Sequence, residues 1–200
     1  MIFEQTLPNG FEYVVCPTQS PVVAVYLWVD VGSIDESHSE AGFCHFLEHM
    51  LFKGTKKRTT QEIAGTVEGS GGDLNAFTSF EYTVYHITIA KDRWLTANEI
   101  LSDMAEGSLF LKDEFDPEKA VILEEIRRCE DSPERQLYYG AYQQLYGNAG
   151  YGRPVIGFPR TVKACSALRL KQFWKHWYVP QLMTLVVCGD VDVAHASQKI

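Results

Sequence analysis

Apolar positions along the chain first recur at the spacing of strands, then at that of helices. Apolar-rich segments 2–7 and 11–16 flank Asn9-Gly10, which predicts a two-residue hairpin turn. Residues 21–33, PVVAVYLWVDVGS, are β-branched and aromatic and predict a long strand. GFCHFLEHMLF then carries its apolar residues at helical spacing, with Ser39 as the expected cap and Gly54 as the expected closing glycine. Thr59 and Glu62 have capping-box spacing and open a helix to about Gly69. Gly69-Ser70-Gly71-Gly72 breaks the pattern and lacks the Lys-Ser/Thr of a phosphate loop. Strands are expected over 74–78 and 81–90, the second alternating through Tyr82, Val84, His86 and Thr88.

Further helices are predicted over about 92–110, from Asp116-Pro117, from Ser132-Pro133, and from Ser166 to before Val179-Pro180. Between the last two lies a looser, Gly-rich stretch over 147–160. Residues 182–188 read as a final strand, and a helix opens after Asp192. That helix still runs at Ile200, so the reading expects a longer polypeptide. Interleaved helices and strands, with strands paired in hairpins, predict an α+β fold. It has two layers, a mainly antiparallel sheet covered by helices, with residues 1–200 as a single domain.

Composition narrows the function. Apolar residues are 46% of the chain, enough for a substantial core. The net charge of −8 argues against a surface for nucleic acid or anionic lipid. No apolar run approaches the ~18 residues that would span a bilayer. Cys16, Cys44, Cys129, Cys165 and Cys188 are scattered and odd in number, and no secretory leader is visible. The expectation is reduced thiols and a cytoplasmic location.

The chemistry concentrates in His45-Phe46-Leu47-Glu48-His49, an H-x-x-E-H sequence. On a helix, residues four apart share a face, so both imidazoles can grip one ion, with Glu48 beside the open position. Zinc held this way lowers the pKa of a bound water towards ~7 and leaves Glu48 to move its proton. A third ligand is needed. The helix after Pro117 carries Glu118, Glu124 and Glu125; Glu125 shares a face with Val121, Ile122 and Cys129, with Glu118 two turns earlier. Two acids on an apolar face imply a cation nearby. Glu124 is placed to pair with Arg128 in solvent, and a surface role for Glu125 stays open at this point.

The chain resembles the M16 family of inverzincin peptidases, close to the processing-peptidase-like branch. HFLEHMLFKGT, LNAFTSFEYTVYH, VILEEI, YGRPVIGFP and HWYVPQLMTLVVCGDVD carry the resemblance, which covers nearly the whole chain. It implies one zinc per chain held by His45, His49 and Glu125, with Glu48 as general base and Glu118 as a supporting acid at the catalytic site. Glu125 lies 76 residues after His49, as the family spacing requires. It implies that Asn75, Ala76 and Phe77 lie on an edge strand that binds an extended peptide substrate. It also implies a second homologous half, in the same or another chain, and an apolar surface prone to self-association in its absence. Lys53, Lys56, Lys57 and Arg58 read as a solvated turn, and Trp174, Trp177 and Tyr178 as packing residues. Two alternatives stay open. One is a non-catalytic peptide-binding or structural subunit of the same family. The other is a small metal-dependent lyase whose third ligand is a cysteine.

Overall fold

The computed structural model describes residues 2–148 and 150–200; Met1 and Ala149, the latter in the Gly-rich stretch, lie outside the described residues. Six strands, β1 (Phe3–Thr6), β2 (Glu12–Pro17), β3 (Val22–Val29), β4 (Asp73–Thr78), β5 (Thr83–Ala90) and β6 (Met183–Gly189), form a sheet in the order β1-β2-β6-β3-β5-β4. Only the β2–β6 pairing is parallel, so the mixed sheet is mainly antiparallel, as predicted. β4 lies at one edge.

The first hairpin turns through three residues, not two. The Leu7 N–H donates to the Phe11 carbonyl (2.8 Å), and Gly10 adopts a φ of 88°. A two-residue turn would need an N–H from Pro8, which has none. Pro8 instead starts a type I turn that Gly10 closes in the left-handed region.

Among the described residues eight α-helices accompany the sheet: α1 (Phe43–Leu51), α2 (Thr60–Glu68), α3 (Trp94–Gly107), α4 (Lys112–Glu130), α5 (Pro133–Tyr146), α6 (Pro159–Ala164), α7 (Ala167–Trp177) and α8 (Val193–Lys199). The capping box at Thr59 and Glu62 forms, and Ser132, Ser166 and Asp192 each accept a backbone N–H from the first turn of their helices. α4 begins before Pro117 because Phe115 is already helical and buried, stacked on Phe46 at 4.7 Å. Pro117 leaves the Asp113 carbonyl without its helical donor, which is cheap because Asp113 is exposed. α6, absent from the sequence reading, opens on Pro159. No described helix is long and apolar enough to cross a membrane.

Side-chain alternation sets the two layers. Val23, Val25, Leu27 and Val29 point from β3 into the core, with Ile87 and Ile89 of β5 and Leu185 and Val187 of β6. Each such burial contributes roughly 1.5–3 kcal/mol. The opposite face is half-open and carries Tyr26 stacked on His86 (4.8 Å) and Trp28 against Tyr82 (4.2 Å).

Candidate metal centre

α1 carries His45, Glu48 and His49, and the core fixes it. Phe43, Cys44, Phe46, Leu47, Met50 and Leu51, six of its nine residues, are buried. Its start is not capped by Ser39. The chain enters through Gly42 at φ 94°, where a Cβ would lie 2.7 Å from the Ile156 carbonyl. Glu36 does the capping: its carboxylate accepts the N–H groups of Gly42 (2.9 Å) and Cys44 (2.7 Å). Burial pushes the Glu36 carboxyl up to about 8, against the pull of those N–H groups and of Arg153. Buried Arg153 donates to the Ser33 and Glu36 carbonyls (3.0 and 2.7 Å), strapping the 151–159 loop over the helix start. Glu36 and Arg153 were not anticipated; the only hint was an acid a few residues before an apolar helix. At the other end α1 stops at Leu51, and Gly54, at φ 97°, lies beyond its C-cap Phe52.

His45, His49 and Glu125 each offer one donor atom, all within 4.8 Å of one another. Glu125 Oε2 is 3.7 Å from His45 Nε2 and 3.6 Å from His49 Nε2. Donors bound to tetrahedral zinc at ~2.0–2.1 Å stand about 3.3 Å apart, so the two Glu125–histidine separations lie close to what that ion needs, and the donor set of two imidazoles and a carboxylate suits it. Among the described residues it contains a glutamate and no cysteine. Burial, followed by the neighbouring His49, pulls the His45 pKa down to about 3, which keeps that imidazole neutral. His45 Nδ1 is buried without a hydrogen-bond partner among the described residues.

Glu118 accepts from His49 Nδ1 at 2.7 Å, which turns Nε2 towards Glu125. Its other oxygen meets Lys53 Nζ at 2.6 Å. Burial opposes ionisation of Glu118, but the bonds from His49 and Lys53 hold its pKa below the usual range. Burial alone would lower His49; Glu118, Glu125 and Glu48 outweigh it and raise its pKa. Lys53 is therefore part of the site, and the expectation of a solvated turn holds for Lys56 and Lys57 only. Arg58 pairs with buried Asp103 at 2.8 Å.

Glu48 projects from the same helix and accepts a hydrogen bond from the Thr78 hydroxyl at the end of β4. Burial raises its pKa. Ala76 and Thr78 point to the helix side of the sheet. Phe77, 41% exposed, faces the open side beside Tyr82 and His86. The Ala76 N–H donates to Asn75 Oδ1 at 2.9 Å. On α4, Ile122 and Cys129 are buried as expected, whereas Val121 is exposed. Glu124 pairs with Arg127 at 2.9 Å, not with Arg128. Arg128 instead lines a 310 Å³ cavity with His45, Glu125, Cys129, Arg135 and Ile156.

A mainly antiparallel sheet over which one helix presents two imidazoles and a second presents a carboxylate is the build of an inverzincin metallopeptidase. Residues 13–157 match the family model "Insulinase (Peptidase family M16)", and residues 164–200 match "Peptidase M16 inactive domain". The chain belongs to peptidase family M16. It is 37% identical to an uncharacterized zinc protease of Streptomyces coelicolor over 94% of this chain and 41% of that protein. A protease from Helicobacter pylori superposes with a TM-score of 0.96 at 30% identity, covering 100% of this chain and 48% of that one. The periplasmic protease PqqL of Escherichia coli gives 0.91 at 32% identity, covering 100% and 23%. The chain thus spans less than half the length of these relatives. The two matched segments share one sheet, since β6 pairs with both β2 and β3.

Proposed function

We propose that this chain is the zinc-binding half of an M16 endopeptidase that cleaves extended peptides, with one zinc held by His45, His49 and Glu125. The observation that carries the reading is the convergence of these three donors beside the half-buried, Thr78-bonded carboxyl of Glu48. Zinc, once bound, supplies Lewis acidity to the scissile carbonyl and to a water. The remaining work falls to the chain's own residues. Glu48, its pKa raised by burial, takes a proton from the attacking water and returns it to the leaving amine. Thr78 holds that carboxylate in orientation. Glu118 fixes the tautomer and angle of His49, while Lys53 keeps Glu118 ionised. The free edge of β4, at Asn75, Ala76 and Phe77, pairs with the peptide backbone. A second homologous half closes the other wall, a reading supported by relatives more than twice as long.

The test is Glu48→Gln in the full polypeptide. Zinc stoichiometry should be unchanged, and hydrolysis of an unstructured peptide should fall about 100-fold or more. Hydrolysis at the parent rate would exclude Glu48 as the base.

A further inference from the structure

The metal centre opens on one side into the 310 Å³ cavity bounded by His45, Glu125, Arg128, Arg135, Cys129 and Ile156. Its charge is unusual for this protein. The chain carries a net −8, yet two arginines line the cavity beside the candidate metal ligands. Neither forms an ion pair among the described residues; the arginines that do are Arg58, Arg93 and Arg127. Arg128 stands three residues after Glu125, on the same side of α4, and its expected partner Glu124 is taken by Arg127. Arg135 sits in the first turn of α5, where its backbone N–H caps onto the Ser132 hydroxyl. Two arginines that line one cavity without a carboxylate partner among the described residues leave their guanidinium donors available to a planar anion.

We propose that Arg128 and Arg135 form a subsite for a carboxylate of the peptide substrate, so that the enzyme favours peptides presenting an acidic group close to the scissile bond. The inference rests on the peptidase reading above and deepens it. The carboxylate is either an Asp or Glu side chain or the peptide's own C-terminus. Both offer the same two oxygens to the guanidiniums. The arginines are exposed, so the preference is moderate and salt-sensitive, and it resides in substrate selection rather than in the chemical step.

Binding tests this separately from cleavage. The full polypeptide carrying Glu48→Gln, zinc-loaded, is titrated into labelled unstructured peptides that differ by Glu or Gln at one position. Each peptide is made with a free and with an amidated C-terminus. At one position the Glu peptide should bind about fivefold tighter than the Gln peptide, and the advantage should shrink in high salt. A Glu-over-Gln preference that persists in the amidated peptides identifies a side-chain carboxylate; equal binding of Glu and Gln peptides, with the free terminus bound tighter than the amide, identifies the terminus. Arg128→Gln with Arg135→Gln should erase the preference and leave Gln-peptide binding within about twofold, with an unchanged melting temperature. Equal affinity for all peptides overturns the subsite. So does an equal loss for Glu and Gln peptides in the double variant, because the guanidiniums would then hold the peptide backbone. Hydrolysis of the same peptides by the parent reads the other proposal. A retained Glu preference without hydrolysis would remove the peptidase reading and keep the carboxylate site.

Discussion

Of the helices that border the cavity beside the candidate metal ligands, α1 and α5 are built in opposite ways. α1 buries six of its nine residues, and Glu36 and Arg153 clamp its start. α5 buries none of its fourteen: Leu137 and Leu145 are about three-quarters exposed, and its tyrosines stack mainly on each other and on Phe80. The contrast separates two tasks. Metal donors must hold their spacing to a fraction of an ångström, and a helix locked into the core can do that. Arg135 sits on the loosely seated helix, which under the proposed function would let it follow peptides of different shape.

Breaking the packed side should cost most. Phe46→Ala removes a fully buried ring stacked on Phe115 and should destabilise the fold by about 3–5 kcal/mol, read from the denaturant midpoint. Glu118→Ala should lower zinc affinity about 10- to 100-fold in a competitive chelator titration, because His49 loses the partner that orients it. Glu36 gives a pH signature. Its folded pKa of about 8 lies above the ordinary 4.5, so the folded state binds this proton more tightly than the unfolded chain. Its contribution is complete below about pH 4.5 and is lost as pH rises to about 8. Relative to Glu36→Gln, the parent should lose stability across that window and no further above it; a pH-independent difference in urea midpoints would contradict the assignment. On the loose side, Leu145→Ser should shift stability by no more than about 0.5 kcal/mol. A shift of several kcal/mol would mean that α5 is covered after all.

The strands, the capped helices and the H-x-x-E-H face were legible in the sequence because each is a local signal: alternation, a Ser or Thr before a helical run, a spacing of four. What failed to show was long-range. Lys53 looked like one of several turn lysines until the fold brought Glu118, distant in sequence, to its ammonium. The start of α4 was misplaced because Pro117 is a strong local marker, whereas Phe115 is recruited by Phe46 across the core. Arg127 and Arg128 both lie within a helical turn or so of Glu124, and sequence alone cannot say which arginine wins it. Glu36 caps a helix from outside the usual window, through a loop held by long-range contacts, among them the bonds from Arg153 to the Ser33 and Glu36 carbonyls.

The order of the strands governs how the chain can be made. β6 is translated more than 150 residues after β3, yet it lies between β2 and β3. Until it emerges from the ribosome, β2 and β3 each expose an unpaired edge, and the first hairpin has no neighbour. The sheet therefore completes late, through contacts far apart in sequence, and a nascent chain stalled before Met183 should be protease-sensitive and prone to pair with other strands. A cut between the two family-model segments would not release a folding unit; it would remove a central strand.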